Sequence, residues 1–572
     1  MIIQRLCECY DKNVRAGLRE IPPVGYENKY IPFVIVLDDN GCFVMLEDHR
    51  GSTEKKTFFV VPKSEARRGK MAYMRPNCLW DHLGYVLAQP RNADPYGQIL
   101  DKEILLAKLQ HEAFVSHTAH IARITGCHEV AIVLKFLNNP KQIELVKSVS
   151  LFREAMKIIG CNISFRIKGL SHLVCQSINV TKWINSQQEI DPDLFNGICL
   201  VTGKRDRIAR LHGNITGVTD IPTPLVSFND ESCCSYLKEQ GFNSPVGFSS
   251  AQKYMTVLNY LLKNDSKNKI IIGKLIVLFW SSEFPGVEAF LSKVLSCDDG
   301  FDIDSYLSFK SNCQSIKLNV SSPSINVLGV SPNSNRISIR LWYDGHTTNI
   351  INHLFTWIDD IYIDGFDKKC IPSVRALLSH AASFGQDKNI ELQLSVNVIR
   401  SILDNNRLPD FLLTKLLEVI RSEHGIVSQY RAALAKAWLN ATYRFQGERT
   451  IESSLDEDEH RAGYMIGRLF SLLERLEHEV TLRHPRVFSN FYLVRACYAP
   501  NAIFPMLLAK RDCYRISDSG SLFVAFINNE IDSILNIIND FPCSWGYEQK
   551  ALFIVGYYQQ KQELKRRQHA DK

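Results

Sequence analysis

The sequence has no CxxC pair: its sixteen cysteines are scattered, and the closest neighbours are Cys7 with Cys9 and Cys233 with Cys234. A tetrahedral zinc site ordinarily takes two short-spaced pairs, so the thiols are expected to be free and reduced, and no metal or other cofactor is expected. Long apolar runs are missing as well. The stretch from Ile270 to Trp280 is too short for a bilayer and is broken by Lys274. The first ten residues carry charge and lack the apolar core of a secretion signal. Both absences point to a cytoplasmic chain with no membrane contact. Charge of one sign is scarce too: Lys and Arg exceed Asp and Glu by only six over 572 residues, so any nucleic-acid surface must come from local clustering.

Catalytic signatures are the next absence. No GxSxG elbow and no GxGxxG loop is present. Val201-Thr202-Gly203-Lys204 has the flavour of a P-loop, but Ile198 stands five before Gly203 and Arg205 follows Lys204, so the first glycine and the hydroxyl are both missing. His111-Glu112 opens like a zincin helix, yet the position four after His111 is Val115. His117 and His120 share a helix face and read as packing or solvated surface. The acids Asp298-Asp299, Asp359-Asp360 and Asp456 to Glu459 stand in no motif that fixes a metal. These absences favour a binding or scaffold protein over an enzyme.

What is present is a chain too long for one core, so at least two domains are expected. Ile31 to Leu37, the turn Asp38-Asp39-Asn40-Gly41 and Cys42 to Leu46 predict a hairpin. Strand-like runs recur at Val130 to Leu134, Ile198 to Thr202, Ile270 to Trp280, Ser324 to Val330 and Ile337 to Trp342, with an amphipathic helix over Asp101 to Ile124. After about residue 371 helical spacing takes over, in Val374 to Ala382, Val396 to Leu403, Phe411 to Ser422, Ser428 to Ala441, Ala462 to Val480 and Phe488 to Tyr498. The expected class is α+β: a mixed body with short antiparallel sheets over 1–370, then a helical bundle over 371–572.

Basic residues cluster in three places. Lys63, Arg67, Arg68, Lys70 and Arg75 are opposed only by Glu65 and are followed by Asn77 and Trp80. Such a loop suits duplex DNA, with cations on phosphates and an amide able to read a base edge; a solvated linker is the plainer alternative. Lys204, Arg205, Arg207 and Arg210, with Asp206 the only acid among them, offer a second phosphate contact. Arg461, Arg468 and Arg475 are seven apart, a stripe with about 10.5 Å between members on one helix. That stripe either tracks a nucleic-acid backbone or is an exposed face balanced by Glu474, Glu477 and Glu479. The tail Lys561 to Arg567 is also basic.

Whole strings match a family. Arg75-Pro76-Asn77-Cys78-Leu79-Trp80-Asp81, Val201-Thr202-Gly203, Ile208-Ala209-Arg210-Leu211-His212, Leu225-Val226-Ser227-Phe228-Asn229 with Ser235-Tyr236, and Leu258-Asn259-Tyr260-Leu261-Leu262 occur in order. They are followed by Val327-Leu328-Gly329-Val330-Ser331-Pro332-Asn333, Arg336-Ile337-Ser338-Ile339-Arg340, Tyr464-Met465-Ile466-Gly467-Arg468-Leu469-Phe470 and Phe553-Ile554-Val555-Gly556-Tyr557-Tyr558. The chain resembles, nearly end to end, the large subunit of the type I-C CRISPR Cascade surveillance complex. One departure is Leu237, where a glycine is expected after Ser235-Tyr236.

The resemblance implies a non-catalytic subunit that recognises the motif beside the target in double-stranded DNA, promotes strand opening and R-loop formation, and recruits a separate helicase-nuclease in trans. Its implied partners are the backbone, guide-end and small subunits of the complex, the CRISPR guide RNA and the target duplex. The helical C-terminal region would resemble the small subunit, which some relatives also make from an internal start; Met465 lies in that neighbourhood. On this reading Arg67, Arg68, Lys70, Arg75 and Asn77 approach the motif duplex, with Asn77 reading a base. Lys204, Arg205, Arg207, Arg210, Arg336, Arg340, Arg461, Arg468 and Arg475 meet nucleic-acid backbone. The rival from another class is a nuclease or other phosphoryl-transfer enzyme of the same defence pathway, and a third reading is an interaction protein without nucleic-acid contact.

Overall fold

The computed structural model describes the chain except at residues 19, 52–56, 65–66, 68–70, 91–99, 188–195, 282–284, 297–305, 307, 309, 311–323, 367–369, 383–384, 482–484, 517–521 and 571–572. The chain forms two compact units, residues 1–213 with 226–260, and residues 214–225 with 261–572.

The first unit contains α1 (Ile2–Arg15), β1 (Tyr26–Tyr30), β2 (Phe33–Leu37), β3 (Phe43–Asp48), β4 (Phe58–Pro62), β5 (Trp80–His82), α2 (Leu83–Leu87), α3 (Asp101–Thr125), α4 (His128–Leu137), α5 (Pro140–Ser148), α6 (Ser150–Lys157), β6 (Asn162–Ile167), α7 (Ile178–Gln187), β7 (Asn196–Ile198), β8 (Arg205–Arg207) and α8 (Phe248–Leu261). Its sheet runs β3-β2-β6-β5, with β2 antiparallel to β3 and parallel to β6. All five residues of β2, Phe-Val-Ile-Val-Leu, are buried, as an inner strand with two covered faces requires. The expected hairpin is β2–β3. Asp38 Oδ1 accepts from the N–H groups of Asn40 at 3.0 Å and Cys42 at 2.8 Å, and Gly41 takes φ +85° to close the turn.

One strand-like run is a helix instead. Val130 to Leu134 lies inside α4, where Val130, Val133, Phe136 and Leu137 recur at helical spacing and are buried against the sheet. A short apolar run buried on most sides has no period that separates strand from helix.

The second unit contains β9 (Asn214–Ile215), β10 (Thr223–Pro224), β11 (Lys269–Ile272), β12 (Leu275–Ser281), α9 (Pro285–Ser296), β13 (Ser324–Asn333), β14 (Arg336–His346), α10 (Thr347–Ile361), α11 (Val374–His380), α12 (Leu392–Asp404), α13 (Asp410–Ser422), α14 (Gln429–Gln446), α15 (Ala462–Thr481), α16 (Pro485–Tyr498), α17 (Pro500–Ile516), α18 (Leu522–Ile537) and α19 (Tyr547–Ala570). β11 to β14 form an antiparallel meander in chain order. The change of character at 370–371 falls within this unit. One buried cluster joins Leu275, Val277 and Phe279 of β12 to helical residues as far as Leu564, so sheet and helices share a core. The α+β class thus holds, with short sheets early and helices late. No helix among the described residues is long and apolar enough to cross a membrane.

Candidate nucleic-acid interface

The first basic loop folds back on itself. Arg67 donates through Nε to the Arg75 carbonyl at 2.8 Å, binds Asp81 through both terminal nitrogens, and lies 4.2 Å over the Tyr85 ring. Asp81 is fully buried and also accepts the Asn77 N–H at 2.9 Å. Burial pushes its carboxyl above the usual carboxylate range, against the opposing pull of Arg67 and the backbone N–H groups of Asn77 and His82. Trp80 Nε1 donates to the Pro62 carbonyl at 3.0 Å, fixing β5 beside the end of β4.

The Arg75-to-Asp81 string therefore runs from an exposed Arg75 into a buried end at Leu79, Trp80 and Asp81. Asn77, expected to read a base, is 6% exposed, and its Oδ1 has no hydrogen-bond partner among the described residues. Arg67 is committed to Asp81. Arg75 is exposed, and Arg68 and Lys70 lie outside the described residues.

The second cluster sits on a hairpin, β7 paired antiparallel to β8 from Asn196↔Arg207 to Ile198↔Arg205. Gly203 takes φ +69° in the turn, and its N–H donates to the Cys199 carbonyl at 2.9 Å. The Val201-to-Lys204 stretch is thus a hairpin turn and not the strand-to-helix loop that cradles phosphate. Cys199 organises the turn: its Sγ accepts N–H groups from Val201 at 3.4 Å and Gly247 at 3.1 Å. Burial raises this thiol, but the N–H donors of Gly247, Thr202 and Val201 together outweigh burial and leave it below its ordinary value. Lys204 and Arg205 are exposed at the turn. Arg207 packs 4.6 Å over the Phe248 ring, and Arg210 donates to Gln240.

In the second unit, Arg336 is exposed at the start of β14, while Arg340 donates through Nε to Ser331 Oγ at 2.9 Å across the β13–β14 pair. The seven-residue arginine stripe is not an exposed face: Arg468 is buried, and Arg461 and Arg475 are partly buried. Arg461 binds Glu459 and lies 4.0 Å over Tyr443; Arg468, 4% exposed, donates to Gln560 at 2.9 Å and pairs with Glu530 at 3.5 Å; Arg475 binds Glu479 beside Phe523. Glu530 and Gln560 belong to α18 and α19, so Arg468 ties α15 to two neighbouring helices, while Arg475 on the same helix and Arg461 just before it pair with acids close in sequence. In the tail, Lys561 pairs with Glu474 at 3.0 Å, and both Arg566 and Arg567 pair with Glu563.

The acids are also engaged. Asp360 binds Arg444, and Asp359 accepts from Tyr306 at 3.0 Å and Lys310 at 3.2 Å. Asp456 pairs with Arg449 at 2.9 Å, and Asp298-Asp299 lie outside the described residues. His111 meets the Tyr85 carbonyl through Nδ1 at 2.9 Å. Among the described residues, no three His, Cys, Asp or Glu side chains are grouped closely enough for a metal ion.

The sequence matches, over residues 6–565, the model of a family described as CRISPR-associated protein (Cas_Csd1). The chain belongs to this family. No curated protein matches it. Within this CRISPR-associated chain, composition alone does not reveal one exposed feature of the first unit, the tip at Tyr236 and Leu237. The signal for it is the non-glycine residue at position 237.

Proposed function

We propose that this chain is the non-catalytic large subunit of a type I-C CRISPR guide-RNA complex. It recognises the motif beside the target in duplex DNA, promotes strand opening and R-loop formation, and recruits the helicase-nuclease in trans. The observation that carries this reading is the match to a CRISPR-associated family across nearly the whole chain. The exposed cations support it. Lys204 and Arg205 at the hairpin turn, with Arg75, offer phosphate contacts in the first unit, and Arg336 offers one in the second.

The role asks little base reading of the protein, because guide pairing supplies most sequence specificity in a nearly balanced strand exchange. A few surface cations on a rigid hairpin suit that demand better than a deep reading pocket would. The test is reconstitution of the guide complex with and without this chain, against guide-matched duplexes whose flanking motif is varied.

A further inference from the structure

A cavity of about 460 Å³ lies in the second unit between the last turn of α10, the middle of α14 and the segment 450–453. Ile358, Ile371, Ile451 and the rings of Tyr306 and Tyr362 give it an apolar lining, and its volume falls in the range of small-molecule sites. Its walls are fixed in advance. Asn440 of α14 grips Ile451 twice, Nδ2 donating to its carbonyl at 3.2 Å and Oδ1 accepting its N–H at 2.7 Å. The Glu452 carbonyl accepts from Gln559 at 2.8 Å, and the Ser453 carbonyl accepts the Asp364 N–H at 3.0 Å.

The same cavity is lined by a buried amine. Lys436, 2% exposed, donates through Nζ to the carbonyls of Asp359 at 3.2 Å and Asp360 at 3.0 Å. These carbonyls belong to the last turn of α10, where the helix itself supplies no donor. Two acceptors satisfy the two N–H groups of a neutral amine, and the third position on the nitrogen has no hydrogen-bond partner among the described residues. The nearby carboxylates are bonded elsewhere: Asp360 to Arg444, and Asp359 to Tyr306 and Lys310. Glu452 is exposed and acts on Lys436 only through its charge. Burial, helped by the charge of Arg444, outweighs the pull of Asp360, Glu452 and Asp359 and brings the amine down to about 8 from the ordinary 10.5. Capping α10 accounts for the two carbonyl bonds, but not for placing the amine against open apolar space of this size.

We propose that this cavity is a binding site for small, flat, neutral aldehydes or ketones, with Lys436 as the group that meets their carbonyl. The apolar lining disfavours ions, and the exposed carboxylates of Asp359 and Glu452 disfavour anions in particular. Condensation follows from the same placement. The amine lone pair attacks the carbonyl carbon, a C=N bond replaces C=O, and the oxygen leaves as water; Lys–NH3+ and O=CHR become Lys–NH+=CHR and H2O without oxidation or reduction. The iminium keeps one N–H for a carbonyl at the end of α10. This site uses none of the cations assigned to phosphate, so it stands apart from the proposed role at duplex DNA.

The experiment treats the full chain at neutral pH with naphthaldehyde, traps the product with cyanoborohydride and maps it by peptide mass spectrometry. Lys436 should be modified faster than the exposed lysines by on the order of tenfold or more, because its lowered pKa leaves more free amine. Naphthalenemethanol, the same ring system without the electrophilic carbon, should protect Lys436 and leave the exposed lysines unprotected. Lys436→Arg, which can still donate to both carbonyls, should lose the selective label while melting near the wild type. Modification confined to exposed lysines would overturn the proposal. Selective modification of Lys436 without protection by naphthalenemethanol would overturn it as well, leaving a reactive amine with no binding cavity. Both results are read on the wild-type chain, so the test holds even where Lys436→Arg fails to fold.

Discussion

At the scale of single residues, two buried ionisable groups set the first unit's sensitivity. Arg67 is the cation that allows Asp81 to sit fully buried at the start of β5. Arg67→Ala leaves that carboxylate without its guanidinium, which in other buried pairs costs about 3–5 kcal/mol. Denaturant unfolding of the whole chain should show a loss of that size; unchanged stability with weakened DNA binding would return Arg67 to the interface. His212 is the second group. It is buried with Nδ1 2.6 Å from the Tyr254 hydroxyl, and burial pushes its pKa down to about 4 from the ordinary 6.5. Between those values the unfolded chain binds a proton that the folded chain refuses, so stability is complete above about pH 6.5 and falls as the pH drops toward 4. The full difference is on the order of 3 kcal/mol. Unfolding midpoints of wild type and His212→Gln should converge on acidification; parallel curves would contradict the assignment.

At the scale of elements, the strings that carry the family resemblance have a packing explanation. Gly467 of α15 and Gly556 of α19 are the points where the two helices touch backbone to backbone: a Cβ at Gly467 would stand 2.2 Å from the Phe553 carbonyl, and one at Gly556 2.3 Å from that of Tyr464. Gly467→Ala must push the helices apart and should destabilise the chain by about 1–3 kcal/mol or more. Gly546→Ala, just before α19 in open space, should be neutral in the same melting experiment.

This crossing also marks the limit of what the sequence makes legible. Periodicity locates α3, the β2–β3 hairpin and the helices from Val374 onward, because one wet face and one dry face impose a period. It cannot say which face an arginine stripe occupies. Arg468 is internal because Gln560 and Glu530, distant in sequence, are brought to it by folding. For the same reason Asn77 looks like a reader until Asp81 and Arg67 close around its backbone. Exposed Lys204 and Arg205 were legible as a cluster, and the tip at Tyr236 was legible only as an odd residue at position 237.

At the scale of the whole molecule, the chain combines a first unit with a cationic hairpin and an exposed apolar tip, and a second unit whose sheet and helices share one core. Membership of a CRISPR-associated family gives that combination its setting. Lys204 and Arg205 are exposed in the first unit, where the proposed role would use them on phosphate, while Arg468 of α15 is spent on packing within the second unit. The most direct test of the proposed role is the affinity of the guide complex, assembled with and without this chain, for guide-matched duplexes with varied flanking motifs. The account predicts that omitting the chain abolishes motif-dependent duplex binding while guide RNA stays bound. Undiminished motif dependence without the chain would contradict it and assign recognition to another subunit.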